Sequence, residues 1–114
     1  MQERGFTERD WKLFRNKIAD WQEAYMDRLG KEYTVLLSED ANPSEKFWRL
    51  EKRIKEDRKK AGVRVEMSRS NLIYNIISLI NEGAISFEDL KEFSDELKET
   101  IRAFIGRRIG DMKF

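Results

Sequence analysis

The stretch from Ser70 to Gly83, SNLIYNIISLINEG, constrains the fold more than any other part of the chain. On a helical wheel Leu72, Ile73, Ile76, Ile77, Leu79 and Ile80 spread over roughly 160°, wider than the stripe of about 100° that a one-sided surface helix needs. A helix with so broad an apolar arc must be covered from at least two sides, so the other segments are expected to pack around it. Gly83, just past the last turn, marks its end.

Upstream, Thr7 and Asp10 have the spacing of a capping box, with Asp in place of the usual Glu. An apolar series follows in steps of three or four through Trp11, Phe14, Ile18, Trp21, Tyr25, Leu29, Tyr33 and Leu36. This predicts one helix over residues 8–37, about 45 Å long. Gly30 lies inside it. A mid-helix glycine costs about 1 kcal/mol relative to alanine, and a break there is the alternative, but Leu29, Tyr33 and Leu36 keep the phase across it. Asn42, Pro43 and Glu45 then supply an N-cap, a first-turn proline and an acid, opening a second helix over 43–61. Its stripe is Phe47, Leu50, Ile54 and Ala61, Gly62 ends it, and the short loop folds it back antiparallel on the first.

Val63, Val65 and Met67 alternate with polar neighbours at the period of a strand, but over so few residues and with no partner in the chain that an extended connector is expected. The central helix follows at 69–82. Ser86 with Asp89 repeats the capping pattern, and Phe87, Leu90, Phe93, Leu97, Ile101 and Phe104 predict a fourth helix over 87–105, with a fraying tail from Gly106 to Phe114. The expected architecture is thus one all-α domain over residues 1–114. It is an antiparallel, four-helix, bundle-like fold with a long N-terminal helix and a short extended connector before the third. Because the first helix outreaches any single partner, either helices two and three line up along it or a second copy covers the remainder as a homodimer.

Composition narrows the chemistry. Seven Phe, three Trp and three Tyr among 114 residues indicate a folded chain despite 39% charged residues. There is no cysteine for disulfides and no histidine for metal binding or general-base work near neutral pH. No run of about 18 apolar residues could span a bilayer, and the N-terminus lacks an apolar leader core, so a cytoplasmic protein without membrane attachment is expected. Glu88, Glu92, Asp95, Glu96 and Glu99 are carboxylates at helical spacing, but on the polar side of an amphipathic helix they read as a solvated face. No serine sits in a glycine-framed elbow, and the isolated glycines form no phosphate cradle. A non-enzymatic protein with no cofactor and no metal is expected.

The charge distribution is uneven. Residues 43–69 carry ten basic against five acidic side chains, while 1–42 carry seven against nine and 70–114 six against eight. Arg49, Lys52, Arg53, Lys59, Lys60 and Arg64 form the candidate binding surface of this basic middle, with Lys46 beside them. It is either a track for phosphates or, as preferred here, a solvated face that also meets the acidic fourth helix. A sharper alternative is a dimeric ribbon-helix-helix DNA-binding regulator built from residues 63–105, with Arg64, Glu66 and Ser68 facing the major groove. Against it, Glu88 and Asp89 occupy the turn where that fold meets a phosphate. The aromatic stripe of the first helix is expected to be core and not a membrane-surface face, since its polar side mixes Asp20, Glu23 and Asp27 with Lys17 and Lys31.

SRSNLIYNIISLINEG (68–83) and SFEDLKEFSDELKE (86–99) resemble segments of small, uncharacterised helical accessory proteins of bacterial mobile, conjugative elements. The resemblance implies an accessory role exerted by binding another protein, including inhibition of a host defence nuclease such as a CRISPR effector. The expected function is therefore protein binding, with DNA binding second.

Overall fold

The structure is a computed structural model that describes residues 5–111 and, for side chains, residues 5–106. The fold starts at a reciprocal cap. Thr7 Oγ1 accepts from the Asp10 backbone N–H at 3.1 Å, and the Asp10 carboxylate accepts from the Thr7 N–H at 2.9 Å. From this capping box runs α1 (Glu8–Ser38), unbroken through Gly30 as expected. Its stripe is buried at Trp11, Phe14, Ile18, Tyr25 and Leu29 and half-buried at Trp21, Tyr33 and Leu36.

Pro43 opens α2 (Pro43–Asp57), with Asn42 at the N-cap position but making no side-chain capping bond. Cross-links between α1 and α2 run from Glu39 to Arg49, from Glu32 to Arg53, from Tyr33 to Asp57 and from Gln22 to the Ala61 carbonyl. As one residue number falls the other rises, which defines an antiparallel hairpin. The helix stops four residues earlier than the sequence predicts, because Asp57 is drawn inward to Tyr33 and the chain turns through Lys60, whose carbonyl accepts from the N–H groups of Val63 and Arg64 at 2.9 Å. Gly62 does not cap the helix. It lies in the turn against the Tyr25 ring, where a Cβ would come within 2.3 Å of Cδ2.

Residues 64–68 are an extended connector, and no strand occurs among the described residues. A 3-10 turn (Arg69–Asn71) leads into α3 (Leu72–Asn81). Leu72, Ile76 and Leu79 are fully buried, with Ile73, Ile77 and Ile80 packed at the margin of the same core, so the wide apolar arc is covered as expected. Gly83, at a φ of 78°, closes the helix: its N–H bonds to Ile80 O at 3.0 Å and that of Ala84 to Leu79 O at 2.8 Å, the paired bonds of a Schellman motif.

The predicted fourth helix is two pieces. Ser86 and Asp89 do form a capping box, but it opens only a 3-10 turn (Phe87–Leu90), and α4 spans Asp95–Asp111. The break is tertiary in origin. Ser94 caps α4 by accepting from the Leu97 N–H at 3.1 Å, while its own N–H and Oγ donate to the Asp10 carboxylate at 2.8 and 2.5 Å. Phe93 is turned inward and stacks on Trp21, ring centroids 6.3 Å apart. Helix α4 also runs past the expected end at 105, and the expectation of fraying for residues 112–114 lies outside the described residues.

The core joins Phe6 and the first half of α1 to α3, Leu90, Phe93 and α4, with Ala61 from the turn after α2. The second half of α1 and most of α2 project from it as a two-helix arm. The radius of gyration of 17.1 Å exceeds the value of about 13 Å for a compact domain of this length, and the 59 × 39 × 21 Å extents give the direction of the excess. Among the described residues no helix is long and apolar enough to cross a membrane.

Candidate functional site

An arm two helices thick cannot bury both sides of each helix, and α2 is where the deficit falls. Of its predicted stripe, Ala61 is buried beyond the helix end and Leu50 is half-buried, but Phe47 and Ile54 are 61% and 42% exposed. Trp48, next to Phe47 and 62% exposed, meets it edge to face with ring centroids 4.9 Å apart. Adjacent positions on a helix point about 100° apart, so two consecutive aromatic residues cannot both face one neighbour. That signal was present in the sequence, and the stripe counted Phe47 alone. Val35 and Leu37 on α1 are exposed as well.

The arm is stapled by a polar cluster. Asp57, 2% exposed at the C-terminal end of α2, accepts from Tyr33 Oη at 2.7 Å and from Arg53 Nε at 3.0 Å, with Lys60 Nζ 3.6 Å away. A carboxylate there opposes the helix dipole, and these three donors compensate it. Arg53 also pairs with Glu32 and lies over the Tyr33 ring at 5.5 Å. Burial and the bond to Asp57 push the Tyr33 phenol up to about 12. Asp57 is thus held from both helices, and the cluster clasps the arm together.

The six predicted basic site residues do not form one patch. Arg49 is held by Glu39 at 3.3 Å and Glu45 at 3.8 Å, and Arg53 and Lys60 serve Asp57. Lys46 donates to the Leu37 and Glu39 carbonyls at the end of α1. Lys52 stands beside Trp48 on the outer side of α2, while Lys59 and Arg64 line a polar cleft of about 230 Å³ with Tyr74, Asn71 and Ser78. These last three cations make no ion pair among the described residues. Contrary to expectation, α2 makes no ion pair with the acidic fourth helix among the described residues: its partners are Glu32 of α1, Glu39 just past it and its own acids, and Glu92 pairs instead with Lys17 of α1 at 3.1 Å. That pairing holds the exposed Glu92 carboxyl below its ordinary range.

Between α1 and α2, on the side opposite Glu32 and Arg49, lies an open apolar groove of about 270 Å³. Met26, Leu29, Gly30 and Tyr33 line it from α1, Ile54, Asp57 and Arg58 from α2 and its end, and Val63 from the turn beyond. By helical spacing Leu37 lies on the same side of α1 as Met26 and Gly30, and Phe47 on the same side of α2 as Ile54. Among the described residues no cluster of acids suits a metal ion. Comparison of the chain with protein-family models, with curated proteins and with solved structures finds no match.

Proposed function

We propose that this chain is a non-enzymatic protein-binding module whose contact surface is the α1–α2 arm. The observation that carries this reading is the Phe47–Trp48 pair, more than 60% exposed at both residues on a helix set apart from the core. Clustered exposed aromatic surface is characteristic of binding faces, where Trp and other aromatic anchors dominate the energetics. The resemblance of residues 68–99 to mobile-element accessory proteins suggests a host protein as the partner, such as a defence nuclease that the module would inhibit. A second copy is the less favoured occupant. Residues 43–60 carry eight basic against four acidic side chains, and a two-fold contact through α2 would set that excess against itself.

The test is capture from the native cell with the wild-type chain and with the Phe47→Ala/Trp48→Ala double variant, read by mass spectrometry. A partner held by the wild type and lost by the variant, with helical content and melting temperature unchanged, is the expected result. A partner retained equally by both, or none enriched by either, would remove the basis for this reading.

A further inference from the structure

Gly30 has no internal reason to be glycine. Its φ is not positive, it sits in the middle of α1, and a Cβ built on it meets nothing within 4 Å. Any residue but proline has a higher helix propensity, so the helix itself gains nothing from the bare backbone at this point. Its bare backbone leaves open space on the α1 side of the groove, between Met26 and Tyr33. We propose that this groove receives a large apolar side chain from an amphipathic, acidic helical segment of the protein partner, with its carboxylates meeting Arg58 and the basic α2. The inference rests on the protein-binding reading and names the chemistry of the segment bound.

Three features select that occupant. Two of the polar groups on the groove, Tyr33 Oη and the Asp57 carboxylate, are hydrogen-bonded to each other, which leaves Arg58 as the lining group open to a partner's carboxylate and the rest of the lining mainly apolar. Met26 and Ile54 are partly exposed rims, and an unbranched methionine adapts to an inserted side chain. Arg58 lines the groove and makes no ion pair among the described residues. That cation, on a helix with an excess of basic residues, attracts an acidic segment and disfavours both a basic one and a second copy of α2. A helix laid in an apolar groove with one or two anchoring residues is a recurrent mode of peptide recognition.

The probe is a synthetic amphipathic peptide of about four helical turns with leucine anchors one turn apart and glutamates on its polar face, compared with the same peptide carrying lysines. Amide shifts of the isotope-labelled protein are followed by NMR. Saturable shifts centred on Met26, Gly30, Tyr33 and Ile54 are expected with the acidic peptide only. Gly30→Leu, which fills the groove while favouring the helix, should weaken binding by about tenfold or more, and Arg58→Glu should move preference toward the lysine peptide. No saturable shifts, equal binding of the two peptides, or an unaffected Gly30→Leu would overturn the proposal. Shifts at the groove that grow with protein concentration alone would assign it to a second copy and overturn it equally. If Gly30→Leu leaves capture of a cellular partner intact while Phe47→Ala/Trp48→Ala abolishes it, the groove assignment fails and the module reading stands.

Discussion

Asp10 is fully buried, yet its carboxyl lies below the ordinary carboxylate value of 3.8. Burial pushes it up, but the bonds from Ser94 Oγ, the Thr7 N–H and the Ser94 N–H outweigh that penalty. One side chain therefore fixes two helix starts, that of α1 through Thr7 and that of α4 through Ser94. Because the folded value lies below the unfolded one, the stabilisation is complete above 3.8 and is lost as pH falls through the folded value. Asp10→Asn should lower stability at neutral pH by about 2 to 4 kcal/mol, since an amide turns a donor toward donors. The gap to wild type in urea midpoint should shrink at acid pH, and a gap equally wide on both sides of 3.8 would show that the charge of Asp10 is immaterial. Two glycines give a sharper contrast. Gly62→Ala drives a Cβ into the buried Tyr25 ring and should cost about 1 to 3 kcal/mol or more by overpacking. Gly30→Ala enters open space in a continuous helix and should leave stability equal or raise it by up to about 1 kcal/mol. A thermal melt that falls clearly for Gly30→Ala, or that does not fall for Gly62→Ala, would contradict the assignment of that glycine.

At the scale of elements, α3 answers to its periodicity. Ile76 is fully buried and Ile77 only partly, so Ile76→Ala should cost about 2 to 5 kcal/mol and Ile77→Ala less, read from denaturant midpoints. The helices α1 and α3 were legible in the sequence because their apolar spacing is long, regular and matched by caps that form as written, Thr7 with Asp10 and Gly83 after Asn81. The end of α2 and the start of α4 were not. Both boundaries are set by contacts distant in sequence, Asp57 with Tyr33 and Ser94 with Asp10, and local periodicity runs straight through them. Ser94 before Asp95 and Glu96 was a readable N-cap signal, masked by the apparently continuous stripe from Phe87 to Phe104. The candidate site was half legible: the basic residues were visible, but which of them are engaged by α1 acids was not. The exposure of Phe47 and Trp48 follows from the arm's thinness, a tertiary fact. That thinness has a dynamic consequence. With few buried apolar contacts, amides of residues 43–56 should exchange with deuterium at lower opening free energy than those of residues 76–81, and equal protection in the two would mean that the arm unfolds only with the core.

For the whole molecule, the decisive question is whether a chain with a net charge of +1 and a basic middle segment handles nucleic acid or protein. Phosphate contacts dominate duplex affinity and make it steeply salt dependent, so a DNA reader needs several cations free to meet one backbone. Here Arg49, Arg53 and Lys60 are paired with carboxylates, Lys52 stands away from Lys59 and Arg64, and those two share their cleft with Glu66 and Glu82. The ribbon-helix-helix alternative meets a further obstacle. It needs residues 63–67 free to pair with a second copy, whereas the Glu66 carbonyl accepts from Asn75 Nδ2 at 3.0 Å within the chain, and Glu88 and Asp89 open the turn after α3. We therefore expect weak, sequence-indifferent duplex binding at low salt, with a shallow salt slope that reflects only a few released counterions. Reversing Lys59 and Lys60 should weaken that residual attraction, and Arg64→Ala should do no more than remove one cation. The measurement is fluorescence anisotropy of labelled duplexes at about 50 and 200 mM salt, with wild type and both variants. Sub-micromolar binding that persists at the higher salt and is destroyed by Arg64→Ala would put the ribbon ahead of the arm and turn the exposed aromatic pair into a secondary feature.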